Sequence, residues 1–198
     1  MWEKIKSFIL SESFKIFSII STPFTLIIII FLINGIFHDS NQEKINALYQ
    51  KTKIILGEDI KDCKSDVRKV ISIVVKLSEK SCVDPELIVS QIIVESFFNE
   101  NCVSWAGATG MMQIMWDDWV KKLGYKKSDL FDIEKNIEIG IYEMKQHLKS
   151  KKTIVEALYR YNGMHKSEGK KTVTISKESY YYVIRVMNYY YQFKNLEL

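Results

Sequence analysis

From Ile16 to Phe37 the chain runs for 22 residues without a charge, IFSIISTPFTLIIIIFLINGIF. As one helix this segment would be about 33 Å long, against about 30 Å of bilayer hydrocarbon. Three readings compete for it: an uncleaved membrane anchor, a cleaved signal peptide and a buried core helix. The exit, NGIFHDS, has no small-x-small cleavage pattern, and Lys15 and Asp39 bracket the run closely. Both features favour the anchor. Charge does not fix its direction, because Lys4, Lys6 and Lys15 before the run balance Lys44, Lys51 and Lys53 after it.

The run divides the chain into a short N-terminus (1–15), a transmembrane anchor (16–37), a polar stalk (38–62) and one domain (63–198). The stalk holds a single glycine, Gly57, and shows no clear apolar stripe. In the domain, Val67, Val70, Ile71, Val74 and Val75 recur at helical spacing. In SCVDPELIVSQIIVES, Asp84 can cap a helix, Pro85 suits its first position and Glu86 favours its positive end. Helical periodicity returns over 133–148, 153–162 and 176–193, and KKTVTIS at 170–176 is the only strand candidate. The fold class expected is mainly α.

A net charge of +4 suits an anionic partner such as a cell wall or membrane surface. No compact Lys/Arg cluster or nucleic-acid motif is present, so nucleic acid is not an expected partner. Cys63, Cys82 and Cys102 form no C-x-x-C, and His38, His147 and His165 are scattered. The expectation is therefore no metal site and no cofactor. The cysteines read as small apolar residues of the interior. Cys63 and Cys102 could pair if two helices formed a hairpin, which would leave Cys82 free.

The residues that could do chemistry lie in IIVESFFNENCVSWAGATGMMQIM, residues 92–115. If 85–98 is helical, Glu95 shares a face with Ile88, Gln91, Ile92, Phe98 and Asn99. Apolar neighbours raise a carboxyl pKa, because the charged form loses hydration, and a glutamate kept protonated near neutral pH is a competent general acid. On the helix alone, a terminal glutamate reaching solvent remains the simpler reading. In the loop that follows, Gly107 and Gly110 allow positive φ or a close approach to a ligand. Gln113 offers both a donor and an acceptor to an uncharged polar group.

From Glu95 to Met115 the pattern E-S-x-F-x-x-x-x-x-S-x-x-G-A-x-G-x-M-Q-I-M resembles the signature of the soluble-type lytic transglycosylase (SLT) domain, related to goose-type lysozyme. Three more blocks follow in the family's order: Asn136-Ile137 with Gly140, Ala157-Leu158 with Tyr161-Asn162-Gly163, and Glu178-Ser179 with Tyr182-Val183 and Val186. Together they cover about residues 66–192. The chain departs from the pattern at Met111, usually Leu, and at Trp116, often Pro. Glu143 stands where a tyrosine is common, with Tyr142 one residue early, and Gly163 follows Asn162 directly.

The resemblance implies a lysozyme-like helical domain that cleaves the β-1,4 bond between N-acetylmuramic acid and N-acetylglucosamine in peptidoglycan, closing a 1,6-anhydro ring without consuming water. It casts Glu95 as acid and then base, with Ser104, Gln113, Met115, Tyr161, Asn162 and Tyr182 binding the glycan. Phe98 reads as core. No second acid stands out, since Asp117-Asp118 lies beyond the motif, and no histidine has an evident role. The alternatives are a lysozyme-like hydrolase of the same bond and a weakly active wall-binding scaffold. An anchored catalytic domain would face outward from the cytoplasmic membrane with its N-terminus inside. Its tether would suit local cutting within a secretion, conjugation or phage complex.

Overall fold

The computed structural model describes residues 23–151, 153–163 and 175–198, with side chains from residue 40 onward except at 118. Helix α1 spans Pro23–Leu56. The chain divides into one unit up to Glu43 and a second from Lys44 to Leu198. Residues 16–22 of the expected span, and the side chains of 23–37, lie outside the described residues. Among those described, no helix is long and apolar enough to cross a membrane. Most of the strand candidate, residues 170–174, also lies outside them, and Ile175 and Ser176 are in neither helix nor strand.

The second unit is a bundle of short helices, each opened by a side-chain cap. These are α2 (Val67–Ser81), α3 (Pro85–Glu95), α4 (Asp118–Lys122), α5 (Ile133–Ser150), α6 (Ile154–Tyr161) and α7 (Lys177–Asn195). The capping oxygens of Asp66, Asp84, Asp117, Asp132, Thr153 and Ser176 accept from backbone N–H groups in the first turn. Each such cap contributes about 1 kcal/mol. At α3 the cap is Asp84 Oδ1 on the Glu86 N–H (3.0 Å), with Pro85 at the first position.

Helix α2 buries one stripe, Val67, Val70, Ile71, Val74 and Val75. Helix α3 differs, because every residue from Leu87 to Ile93 is buried. A helix that is covered all round must lie at the centre, and α3 packs against both α2 and α7. Helix α5 packs on α2 and α6, and α6 packs on α7. Phe98 is fully buried, as the sequence suggests. The body of α3 is thus held between α2 and α7, with Val94 and Glu95 at its C-terminal end only partly buried.

The stalk is where sequence and structure part. Residues 44–56 continue α1, and Gly57–Asp62 forms a 3-10 turn. Leu48, Thr52 and Leu56, four residues apart, are buried in the main core. The Thr52 hydroxyl, which would otherwise be costly to bury, donates to the Leu48 carbonyl (2.7 Å). Ile45, Tyr49 and Ile55 pack beside them, so a helical stripe does run through 45–56, masked in the sequence by the lysines and glutamine set among it.

The cysteines also differ from expectation. All three are unpaired, Cys82 is exposed, and Cys63 and Cys102 are only partly covered. Cys82 ends α2 in a left-handed conformation (φ 55°), which turns it outward. The chain near residue 63 does approach the loop, since the Ser65 N–H donates to Phe98 O (2.9 Å) and the Ser65 hydroxyl to Glu100. That closure is made by hydrogen bonds and not by a disulfide.

Candidate active site

The loop after α3 folds on itself through two isolated antiparallel bridges, Val103 with Thr109 and Thr109 with Ile114. Gly110 takes φ 83°, and a Cβ there would fall 2.2 Å from Leu130 O and 2.3 Å from Asn136 Nδ2. Only glycine satisfies both constraints. Asn136, buried on α5, donates from Nδ2 to Thr109 O (2.9 Å) and Leu130 O (2.7 Å), and its Oδ1 accepts from the Met112 N–H (2.8 Å). One turn along α5, a Cβ on Gly140 would lie 2.4 Å from Met112 Sδ, so its absence makes room for that side chain. The Tyr161 hydroxyl of α6 donates to Met112 O (2.9 Å). Two later sequence blocks, one on α5 and one on α6, therefore converge on Met112.

Glu95 is the last residue of α3. Its carboxyl is enclosed by protein while the residue keeps some surface, and burial pushes its pKa from 4.5 up to about 8. A hydrogen bond from Tyr182 opposes that rise, the negative charge of Glu143 adds to it, and Arg185 opposes it from a distance. Gln91 Nε2, fully buried one turn before Glu95, donates to the Tyr182 hydroxyl (3.2 Å). A relay Gln91–Tyr182–Glu95 thus orients the carboxyl. Burial holds the hydroxyls of Tyr161 and Tyr182 well above their ordinary pKa, and the charges of Glu95 and Glu143 add to this. Both tyrosines stay neutral donors.

A cleft of about 580 Å³ opens at Tyr161 and Glu143, and Glu95 and Tyr182 are not among the residues that line it. Of the expected residues, Gln113, Met115 and Tyr161 line it. Gln113 sits at φ 51°, and its Nε2 donates to Cys102 O (3.1 Å) and Gly110 O (3.0 Å). Its amide nitrogen therefore braces the loop. Tyr182 reaches the site through Glu95. Ser104 and Asn162 have local duties: Ser104 Oγ accepts from the Ala108 N–H (3.0 Å), and Asn162 ends α6 with its N–H on Leu158 O (3.0 Å). Neither lines the cleft.

The expected set omitted several groups at the site. Trp119 and Tyr142 line the cleft with rings 6.2 Å apart and nearly parallel (19°), an apolar wall suited to a sugar ring. Glu143 and His147 line it as well. The displaced Tyr142-Glu143 pair was the one signal in the sequence for this arrangement. Among the described residues no cluster could hold a metal ion.

One enclosed glutamate ending a central helix, with neutral tyrosines around it, places the domain in the lysozyme-like helical class. The family model described as Transglycosylase SLT domain matches residues 72–182, more than half of the sequence, and the chain belongs to that family. Among solved structures it is similar to an inactive mutant of the lytic transglycosylase Slt from Pseudomonas aeruginosa. The likeness has a TM-score of 0.51 at 20% identity, covering 62% of this chain and 23% of that one. It is a likeness of fold, and the chain spans under a quarter of that structure's length. No curated protein matches the chain.

Proposed function

We propose that this protein is a peptidoglycan lytic transglycosylase that cleaves the N-acetylmuramic acid–β-1,4–N-acetylglucosamine bond and leaves a 1,6-anhydromuramyl end. The observation that carries this reading is Glu95, enclosed, hydrogen-bonded by Tyr182 and protonated up to about pH 8. Glu95 gives its proton to the glycosidic oxygen as the C1–O bond breaks. The substrate's N-acetyl oxygen stabilises the electron-poor C1. The C6 hydroxyl then attacks C1, and its proton passes to the Glu95 carboxylate, which is restored to its starting state. No water is consumed and no cofactor is needed. Gln113, Met115 and the Trp119–Tyr142 wall hold the glycan, while Ser104 and Asn162 shape the loop and helix end that border it.

The uncharged run 16–37 supports a single membrane anchor, with the catalytic unit outside the cytoplasmic membrane and cutting confined to its surroundings, as a secretion, conjugation or phage complex requires. Protease treatment of spheroplasts should digest the catalytic unit, and its protection would overturn this orientation. The reaction is tested by mass spectrometry of purified peptidoglycan digested with the full chain. Anhydro ends, lighter than hydrolysed ends by one water, are expected from the wild type and not from Glu95→Gln. Their absence from the wild-type digest would refute the proposal.

A further inference from the structure

The cleft that Gln113 and Met115 line holds about 580 Å³, room for a ligand of drug size. A glycan strand is a polymer, so most of it must lie on the surface beyond the rim. Between those two residues Ile114 is bridged to Thr109, and Thr109 in turn to Val103. Adjacent extended segments lie about 4.8 Å apart, which sets Val103 about 10 Å across from Ile114. Met115, 48% exposed, and Val103, 55% exposed, carry apolar surface outward from the cleft. Two residues beyond Val103 stands Trp105, 94% exposed.

A lone apolar side chain on a surface calls for no explanation, but tryptophan is ordinarily well covered, and this one continues an apolar path. The turn beneath it is also fixed. The Gly107 N–H donates to Ser104 O (3.0 Å), closing a β-turn with Trp105 and Ala106 at its centre, and the Ser104 N–H donates to Ala108 O (2.9 Å). The Ala108 N–H reaches Ser104 Oγ (3.0 Å), and the Thr109 hydroxyl donates to Gly107 O (3.1 Å). Cys102 O accepts both the Gly110 N–H (2.8 Å) and Gln113 Nε2 (3.1 Å), which ties the turn to the cleft wall. A ring on so rigid a mount gives up little freedom when it takes a ligand. No residue from 102 to 115 is charged, so this surface suits an uncharged sugar better than a peptide stem or an anionic lipid headgroup. The pattern S-x-x-G-A leaves the position of Trp105 open, so the ring is a feature of this chain and not of the shared signature.

We propose that Trp105 is a glycan-binding residue outside the cleft, a platform on which one N-acetylhexosamine ring of the strand stacks by its apolar C–H face. This rests on the transglycosylase reading above and gives it a preference: strands long enough to reach from the cleft to the turn are held better than short fragments. Val103 and Met115 form the apolar path between the two.

The experiment measures binding without cleavage, on the full chain carrying Glu95→Gln. The probes are peptide-free glycan strands from purified peptidoglycan and the single N-acetylglucosamine–N-acetylmuramic acid disaccharide. Adding Trp105→Ala should weaken strand binding about fivefold, the scale of one aromatic contact, and weaken the disaccharide much less. Trp105→Phe, which keeps a flat ring, should recover most of the loss. Substitution at so exposed a site leaves the fold intact, and an unchanged melting temperature checks this. Strand binding that is unchanged in Trp105→Ala, an equal loss for both probes, or Trp105→Phe as weak as Trp105→Ala would each overturn the inference, the first pointing to a protein or membrane partner for the ring. The transglycosylase reading is judged separately, by anhydro ends from the chain with Glu95 intact, so either can fail while the other stands.

Discussion

Helix α3 carries a glutamate near each end, and the fold treats the two in opposite ways. Glu86, in the first turn, is paired with Lys51 (2.9 Å) and Lys194 (2.8 Å). Lys51 also donates to Phe193 O (2.8 Å), while Asp84 takes Lys194 (2.6 Å) and the Tyr190 hydroxyl (2.9 Å). This network joins α1, α3 and α7. Glu95, at the other end, forms no ion pair among the described residues, and it meets a neutral hydroxyl and a like charge. The same residue type on one helix stabilises the fold where its charge is answered and becomes an acid where it is not.

The largest effect should come from removing the unanswered glutamate. Glu95→Gln should lower turnover by about 10²–10⁴-fold, read as release of soluble muropeptides. The same change should make the protein more stable at high pH. The folded state holds the Glu95 proton up to about pH 8, while the unfolded chain gives it up near 4.5. The native state therefore loses stability as pH rises through that window. Glutamine removes the loss, so the variant's melting-temperature advantage should be absent near pH 4 and reach several degrees by about pH 9. A uniform advantage across pH would break the comparison.

At the answered end, Glu86→Ala leaves Lys51 and Lys194 short of a partner and should cost about 2–3 kcal/mol in urea unfolding. The pH at which activity declines should not move. Tyr182→Phe sharpens the opposite end: it should cost about tenfold in kcat/KM and shift the alkaline decline to higher pH. The lost hydrogen bond favours the carboxylate, so without it the proton is held longer. A shift to lower pH would contradict the relay from Gln91. Lys194→Met should be the mildest, about 1 kcal/mol or less, because that side chain is 43% exposed.

Much of the bundle is legible in the sequence because its information is local. Asp84-Pro85, Asp132 and Ser176 announce helix starts by their own chemistry, and α3 through the loop to Met115 is contiguous. What crosses space without a local trace is not legible. The burial of Leu48, Thr52 and Leu56 depends on a core assembled elsewhere, and a polar setting hides it. Glu143 shows only as a misplaced tyrosine, since its place in the cleft wall is set by the packing of α5 on α6. Ser104 reads as a ligand for sugar, and the sequence gives no sign that its Oγ also accepts from the Ala108 N–H.

The contacts at Met112 have a consequence for when the protein can cut. One peptide segment is read at its N–H by α5 and at its carbonyl by α6, while a missing Cβ on Gly140 admits its side chain. Each contact alone is weak, and all three hold only if both helices have docked. The cleft floor thus works as a coincidence detector for tertiary assembly. A half-folded chain would carry Glu95 without a floor beneath it, and the chemistry of that carboxyl would stay silent until the fold was complete.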